Sequence, residues 1–263
     1  MSRDTGQTPS TGLGSYVSQY PGDQRLMNLG HELSNTQKRI SYFGSIVHPG
    51  MSLRQAMATL DKSGGTVWFA EGIWFFREPF VVKRSNVTFR AISPSRTKFH
   101  RTSASSSPMI TFEGPRCKVV GFEIEDSQAS TALAIELKGP RSAVEDCHFV
   151  NGFGAVKING ASNCRVSRNH IVSSSRIAVL VDGTCSDNMV DSNIFESGGI
   201  VEYDIYFGDN VSDGGAVGNC HAIDSSEKCI SIKSGSNVYI DNDTAKRYLN
   251  ILDATSSTCV QVR

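Results

Sequence analysis

The chain has 263 residues, 26 of them basic and 26 acidic, and carries no net charge at neutral pH. That balance argues against the broad basic surface that grips nucleic acid, and no apolar stretch reaches the roughly 20 residues that span a bilayer. A chain of this length could hold two ordinary domains, although all-β repeat bodies often fold as one.

Residues 1 to about 24 are rich in Gly, Ser, Thr and Gln, a composition that cannot bury enough apolar surface to order itself. Such a tail would be held by a partner or by sister chains. It lacks the basic-then-apolar pattern of a signal peptide, so synthesis in the cytoplasm without export is expected. Between residues 25 and 44, Leu26, Leu29, Leu33, Thr36, Ile40 and Phe43 follow a 3-4 spacing, the a and d places of a heptad. This short helix fits either an oligomeric stem or an amphipathic helix packed on the chain's own body. Residues 1–49 are therefore read as an anchoring tail with a short helix.

The next element is a capping helix at about residues 52–62. Ser52 and Gln55 form a capping-box pattern, Leu53, Ala56, Met57 and Leu60 make one apolar face, and Gly64-Gly65 terminates it. It is expected to lie across the first coil of a body spanning residues 50–263.

Two hydrophobic signatures recur through that body. In the first, a Val is followed five positions later by a mostly apolar residue: Val87/Ile92, Val119/Ile124, Val144/Phe149, Val166/Ile171, Val190/Phe195 and Val217/Ala222, with Val238 continuing the series. In the second, a short apolar-x-apolar strand recurs at Ile110–Phe112, Ile135–Leu137, Val156–Ile158, Val179–Val181, Ile205–Phe207, Ile230–Ile232 and Val260–Val262. The steps lie between 21 and 32 residues, the period of a repeat architecture whose units bury their apolar faces only against one another. Each short strand alternates with period 2, and no helix of ten residues fits between anchors. The expected fold is all-β: a parallel β-helix of about seven rungs, its strands stacked about 4.8 Å apart over roughly 30 to 35 Å. Asn169 and Asn193, three places after their anchors, would stack at a turn and satisfy backbone groups, with Cys147 and Cys220 at the same place in other rungs.

The stretch SLRQAMATLDKSGGTVWFAEGIWFFREPFVVKRSNVTFRAIS resembles the opening of right-handed parallel β-helix proteins of the pectin-lyase-like class, particularly phage tailspikes and other virion β-helices. Such proteins begin with a capping helix, a Gly-Gly turn, a strand, a Gly-containing turn and an S-N-V-T first rung. The likeness covers roughly residues 50–263 and implies a right-handed coil, but fold alone does not give function. Ala70-Glu71-Gly72 stands where relatives often have Pro-x-Gly.

The catalytic elements of polygalacturonase-like relatives, N-T-D, D-D, G-H-G and R-I-K, are absent, as is the D-P-H-D of alginate epimerases. One constellation remains. Four places after the anchor, successive rungs carry Glu123, His148 and His170, and His221 recurs after Ile194 interrupts the series. Stacked about 5 Å apart, a carboxylate and two imidazoles could act as an acid/base pair or offer zinc ligands. The position also follows a turn and should face solvent, where His is an ordinary occupant, and three in-line groups do not converge on a metal.

Glu145 with Asp146, or Glu202 with Asp204, could supply the two carboxylates of a glycosidase. The run Trp68, Phe69, Trp74, Phe75 and Phe76 reads as a sugar-stacking platform or as the packed first coil. Seven cysteines lie between Cys117 and Cys259 without zinc-finger spacing, so no metal or cofactor is expected. Cys229 and Cys259 each precede a second-signature strand; if those strands adjoin, a disulfide could join them.

The last apolar strand ends at Arg263, so a sister chain or larger assembly would be needed to cover the final rung. Together these expectations favour a virion structural or adsorption protein, trimeric, held to other virion proteins through residues 1–49 and able to meet a host surface glycan. A polysaccharide lyase or glycoside hydrolase is the competing class, and a non-catalytic glycan-binding module the third.

Overall fold

The computed structural model describes residues 45–262 except 102, 128–129, 173, 175, 197–202, 222–229, 234, 237, 242–248 and 252–260. The stem positions Leu26, Leu29, Leu33, Ile40 and Phe43, and Cys229, Cys259 and Glu202, lie outside the described residues.

Ile46–Arg263 forms one compact unit, a parallel β-solenoid of about seven turns. Its described strands make a first sheet of ten, a second of eight, a third of seven and a small fourth of three. A typical coil runs from the first sheet (Lys118–Val120) to the third (Glu123–Glu125), then by a longer turn to the second (Ile135–Leu137) and back to the first (Ala143–Glu145).

The second signature builds the second sheet. Ile110, Ile135, Val156, Val179, Ile205 and Ile230 stack in register, preceded by Phe80. Leu249–Ile251 continues this sheet after Ile230–Ile232, whereas Gln261–Val262 pairs with Tyr239–Ile240 in the first sheet. The strands that follow Cys229 and Cys259 therefore belong to different sheets.

The first signature holds for Val119, Val144, Val166 and Val190, which stack in the first sheet. Its ends need correction: Val119 pairs with Phe89 rather than Val87, and Val190 is followed by Ala216 and Ile240 rather than by Val217 and Val238. Val87 and Val238 are each two residues from the true position, keep the inward face and are fully buried. Val217 is one residue off, so it points outward in register with Asp191.

Backbone conformation marks the corners. Asn86, Arg116, Arg141, Asn163, Asp187 and Asp213 have φ between 49° and 60°, each three residues before a first-sheet position that stacks with Val119. Gly121, Asp146, Arg168, Ser192 and Gly218 are again left-handed two residues after it, and one such residue turns the chain from the first sheet into the third. The left-handed region costs a non-glycine residue roughly 1–2 kcal/mol, less for Asn and Asp.

Beside that corner runs a ladder of buried amides. The Cys147 amide donates to Asn169 Oδ1 (3.0 Å), that of Asn169 to Asn193 Oδ1 (2.9 Å) and that of Asn193 to Asn219 Oδ1 (2.9 Å). The expected turn ladder is present, with Asn219 in the place assigned to Cys220 because the anchor there is Ala216.

The capping helix spans Leu53–Ala58, shorter than the expected 52–62, with both hydrogen bonds of the Ser52/Gln55 capping box in place. It ends at Thr59, and Gly64-Gly65 leads into the strand Gly65–Phe69 rather than terminating the helix. Arg84 Nη1 donates to the carbonyls of Met57 (2.9 Å) and Leu60 (3.0 Å), clamping the helix end to the coil. Beneath it Phe69 meets Trp74, Phe89, Phe99 and Phe122 edge-on, with ring centroids 4.9–5.2 Å apart. Of the aromatic run, Phe69, Trp74 and Phe76 are core, and Phe75 stands 67% exposed.

Candidate functional site

The outward face of the third sheet carries the constellation singled out in the sequence. Inward positions are taken by Trp74, Phe99, Ile124, Phe149, Ile171 and Phe195, all buried, so the residues on either side of each must point out. They form two columns. One runs Ile73, Lys98, Glu123, His148, His170, Ile194 and Cys220; the other runs Phe75, His100, Glu125, Val150, Val172 and Glu196.

Glu123, His148 and His170 are thus neighbours on adjoining strands, as the period implied. The imidazoles of His148 and His170 stack with centroids 4.9 Å apart and planes 18° from parallel. Lys98 binds both carboxylates of the next strand, with Nζ 2.7 Å from Glu123 and 3.2 Å from Glu125. His100 Nδ1 lies 3.1 Å from Glu125, and His170 Nε2 lies 3.2 Å from Glu196 without hydrogen-bond alignment.

These contacts set the protonation states. Burial would raise the Glu125 pKa, but the hydrogen bond from Lys98 and the charges of Lys98 and His100 outweigh it and hold the carboxyl below its usual range. Hydrogen bonding to Glu123 raises Lys98 against a smaller opposing effect of burial. Burial, then the neighbouring His170, lowers His148 below its ordinary value, with Glu123 partly compensating. At neutral pH the face presents an ionised Lys98–Glu125 pair beside a neutral His148.

Lys98, His100, Glu125 and Glu196 were not singled out in the sequence. Glu125 and Glu196 sit two places beyond Glu123 and Ile194 and could have been found by extending the period. Lys98 and His100 are displaced because Pro94–Arg96 forms a 3-10 turn before the strand Thr97–His100. Phe99, not Ile92, therefore stacks with Ile124, and Ile92 is 47% exposed.

His221 does not continue the outward column. It pairs with Phe195 on the inward side, stacks on that ring at 4.8 Å, and its Nδ1 lies 2.7 Å from Asp204 Oδ2, both side chains 2% exposed. The other acids also fall elsewhere. Asp146 is held by Arg168 (2.7 and 3.0 Å), and Glu145 lies 3.6 Å from both Arg168 and Lys118. Among the described residues, no group of three or more His, Cys, Asp or Glu is arranged to hold a metal ion.

Residues 73–245 match the family described as "Right handed beta helix region". No curated protein matches the sequence. Among solved structures, a catalytic domain of GH87 alpha-1,3-glucanase in complex with nigerose superposes with a TM-score of 0.61 at 13% identity. That match covers 76% of this chain and 38% of the glucanase domain, so the chain spans well under half of its neighbour. ORF18 of Geobacillus virus E2 gives 0.64 at 14% identity over 84% of this chain and 51% of that one. The pectin methylesterase from Aspergillus niger gives 0.55 at 10% identity over 83% and 84%. Identities this low establish the fold alone, whereas the family match covers well over half the chain: it belongs to the right-handed beta helix family.

Proposed function

We propose that the chain is a structural or adsorption component of a phage particle, assembled as a trimer through residues 1–49 and presenting the third-sheet face to a host surface glycan. The observation that carries this reading is the engagement of Glu123 and Glu125 by a single lysine. A glycosidase acid needs a carboxyl held protonated near neutrality, and the Glu125 carboxyl is shifted the opposite way. The superposable phage protein supports the same reading. Immunogold labelling with antibodies to the full chain tests it on particles purified from producing cells. Label on the particles is expected; label confined to the particle-free fraction would overturn it.

One arrangement favours a carbohydrate-active enzyme instead. His148, kept neutral and stacked between Glu123 and His170 in register, could act as a general base. Reducing-end and unsaturated-uronate assays on acidic polysaccharides distinguish the two. Turnover that disappears in His148→Ala or Glu123→Gln would establish the enzyme.

A further inference from the structure

The third-sheet columns begin at an unusual pair of outward residues. Ile73 is 47% and Phe75 67% exposed, where Lys98 and His100 stand one rung later. They open onto a cleft of about 370 Å³ between the start of the capping helix and the first coil, lined among others by Arg54, Trp74, Arg77 and Glu78. The volume is in the range of small-ligand sites.

Three observations say what the cleft would take. Phe75 offers an open aromatic face, buttressed edge-on by His100 at a centroid distance of 5.6 Å. Trp74, which lines the cleft and is 4% exposed, has an indole Nε1–H with no acceptor among the described residues. A buried donor left without a partner is costly, and an acceptor oxygen in the cleft would satisfy it once a small shift of the cleft wall uncovers the N–H. Arg54, Arg77 and Glu78 are exposed and have no ion pair or hydrogen bond among the described residues. Two guanidiniums against one carboxylate give the rim a positive surplus, and the guanidinium fork matches a carboxylate in two parallel hydrogen bonds.

We infer that this cleft is a binding subsite for an acidic saccharide, with a pyranose face on Phe75, a ring or hydroxyl oxygen accepting from Trp74 and a uronate-type carboxylate between Arg54 and Arg77. It rests on the reading of the chain as a glycan-meeting adsorption protein and gives that reading an anchoring point. The bound sugar sits at the head of the third sheet, so further units would run along the axis past His100 and Lys98.

Titration of the full chain with tetragalacturonate and with sialyllactose, followed by tryptophan fluorescence, tests the inference; methyl-esterified tetragalacturonate and lactose are the neutral controls. Binding of at least one acidic probe is expected, with the neutral controls at least about tenfold weaker and the affinity falling with salt. Phe75→Ala and Arg77→Ala, both at exposed positions, should each weaken binding at least about tenfold. Trp74→Phe, which removes the N–H donor together with the second ring of the indole, should weaken binding about threefold or more when read by calorimetry, because it also removes one of the chain's two tryptophans. Binding unchanged in Phe75→Ala would overturn the cleft while leaving glycan adsorption standing. The inference is also overturned if no acidic probe binds, if an acidic peptide binds as well as the saccharides, or if Phe75→Ala abolishes only self-association in light scattering. Particle labelling judges the underlying reading independently of all these outcomes.

Discussion

Asn193 makes four hydrogen bonds through one buried amide. Its Oδ1 accepts from the backbone and side chain of Asn169 (2.9 and 3.0 Å), and its Nδ2 donates to Val166 O (2.9 Å) and Asn219 Oδ1 (3.0 Å). Asn193→Ala leaves the Asn169 amide buried without an acceptor, and each such loss costs about 1–3 kcal/mol. Equilibrium denaturation of this variant should show at least about 2 kcal/mol of destabilisation; a change within about 0.5 kcal/mol, typical of an indifferent surface site, would contradict the ladder. Its neighbour Ser192 has φ 56° at a corner where other coils use Gly121 or Gly218. Ser192→Asn should raise stability by up to about 1 kcal/mol and Ser192→Val should lower it by a similar amount, because Asn tolerates the left-handed region and a β-branched residue does not. His148 adds a pH dependence. Its folded-state pKa lies below the ordinary 6.5, so the unfolded chain binds its proton first and stability falls as pH drops through 6.5 towards the lowered value. Glu125, lowered from 4.5, adds a second loss that begins near that pH. The melting temperature of the wild type should therefore fall between pH 7.5 and 5.5, and the fall should be smaller in His148→Gln. An unchanged fall would place its origin elsewhere.

At the scale of elements, the start of the capping helix was legible because its signals are local: Ser52 and Gln55 at the right spacing and an apolar face. Its end was not, since the helix stops at Thr59 and the glycine pair lies beyond it at the start of the strand Gly65–Phe69. Nor was its clamp, because Arg84 reaches the helix from the next coil. Ser52→Ala should cost about 0.5–2 kcal/mol by loss of the cap. Arg84→Met should speed hydrogen exchange at Val67 and Phe69, the buried strand positions of the coil beneath, more than at Val166 or Val190. Equal effects at all four would mean that the helix does not protect that coil. Strand register was legible wherever a Val anchor dominated its neighbours and illegible where it did not. Val217 is more anchor-like than Ala216, but Gly215 lies where an added Cβ would come within 2.7 Å of the Tyr239 ring, and the chain pairs through Ala216. That single-residue slip moved Asn219 into the ladder and turned His221 inward. The same ambiguity set Val260–Val262 in the second sheet when Gln261–Val262 belongs to the first.

For the whole molecule, repetition made the coil readable, since each turn buries its apolar residues only against the turns beside it. The outward face was readable only in part. Inward positions accept little but apolar side chains, so they recur visibly; outward positions accept any polar residue, and the partners of Glu123 and Glu125 emerged only when the insertion at Pro94–Arg96 could be aligned in space. Under the proposed function, the third-sheet face meets a glycan without cleaving it. The full chain, incubated with a panel of acidic surface polysaccharides and resolved by size-exclusion chromatography, tests both halves together. Co-elution of at least one polysaccharide with the protein, its size distribution unchanged after prolonged incubation, is the expected result. Progressive shortening of the polysaccharide that is lost in Glu123→Gln would contradict it.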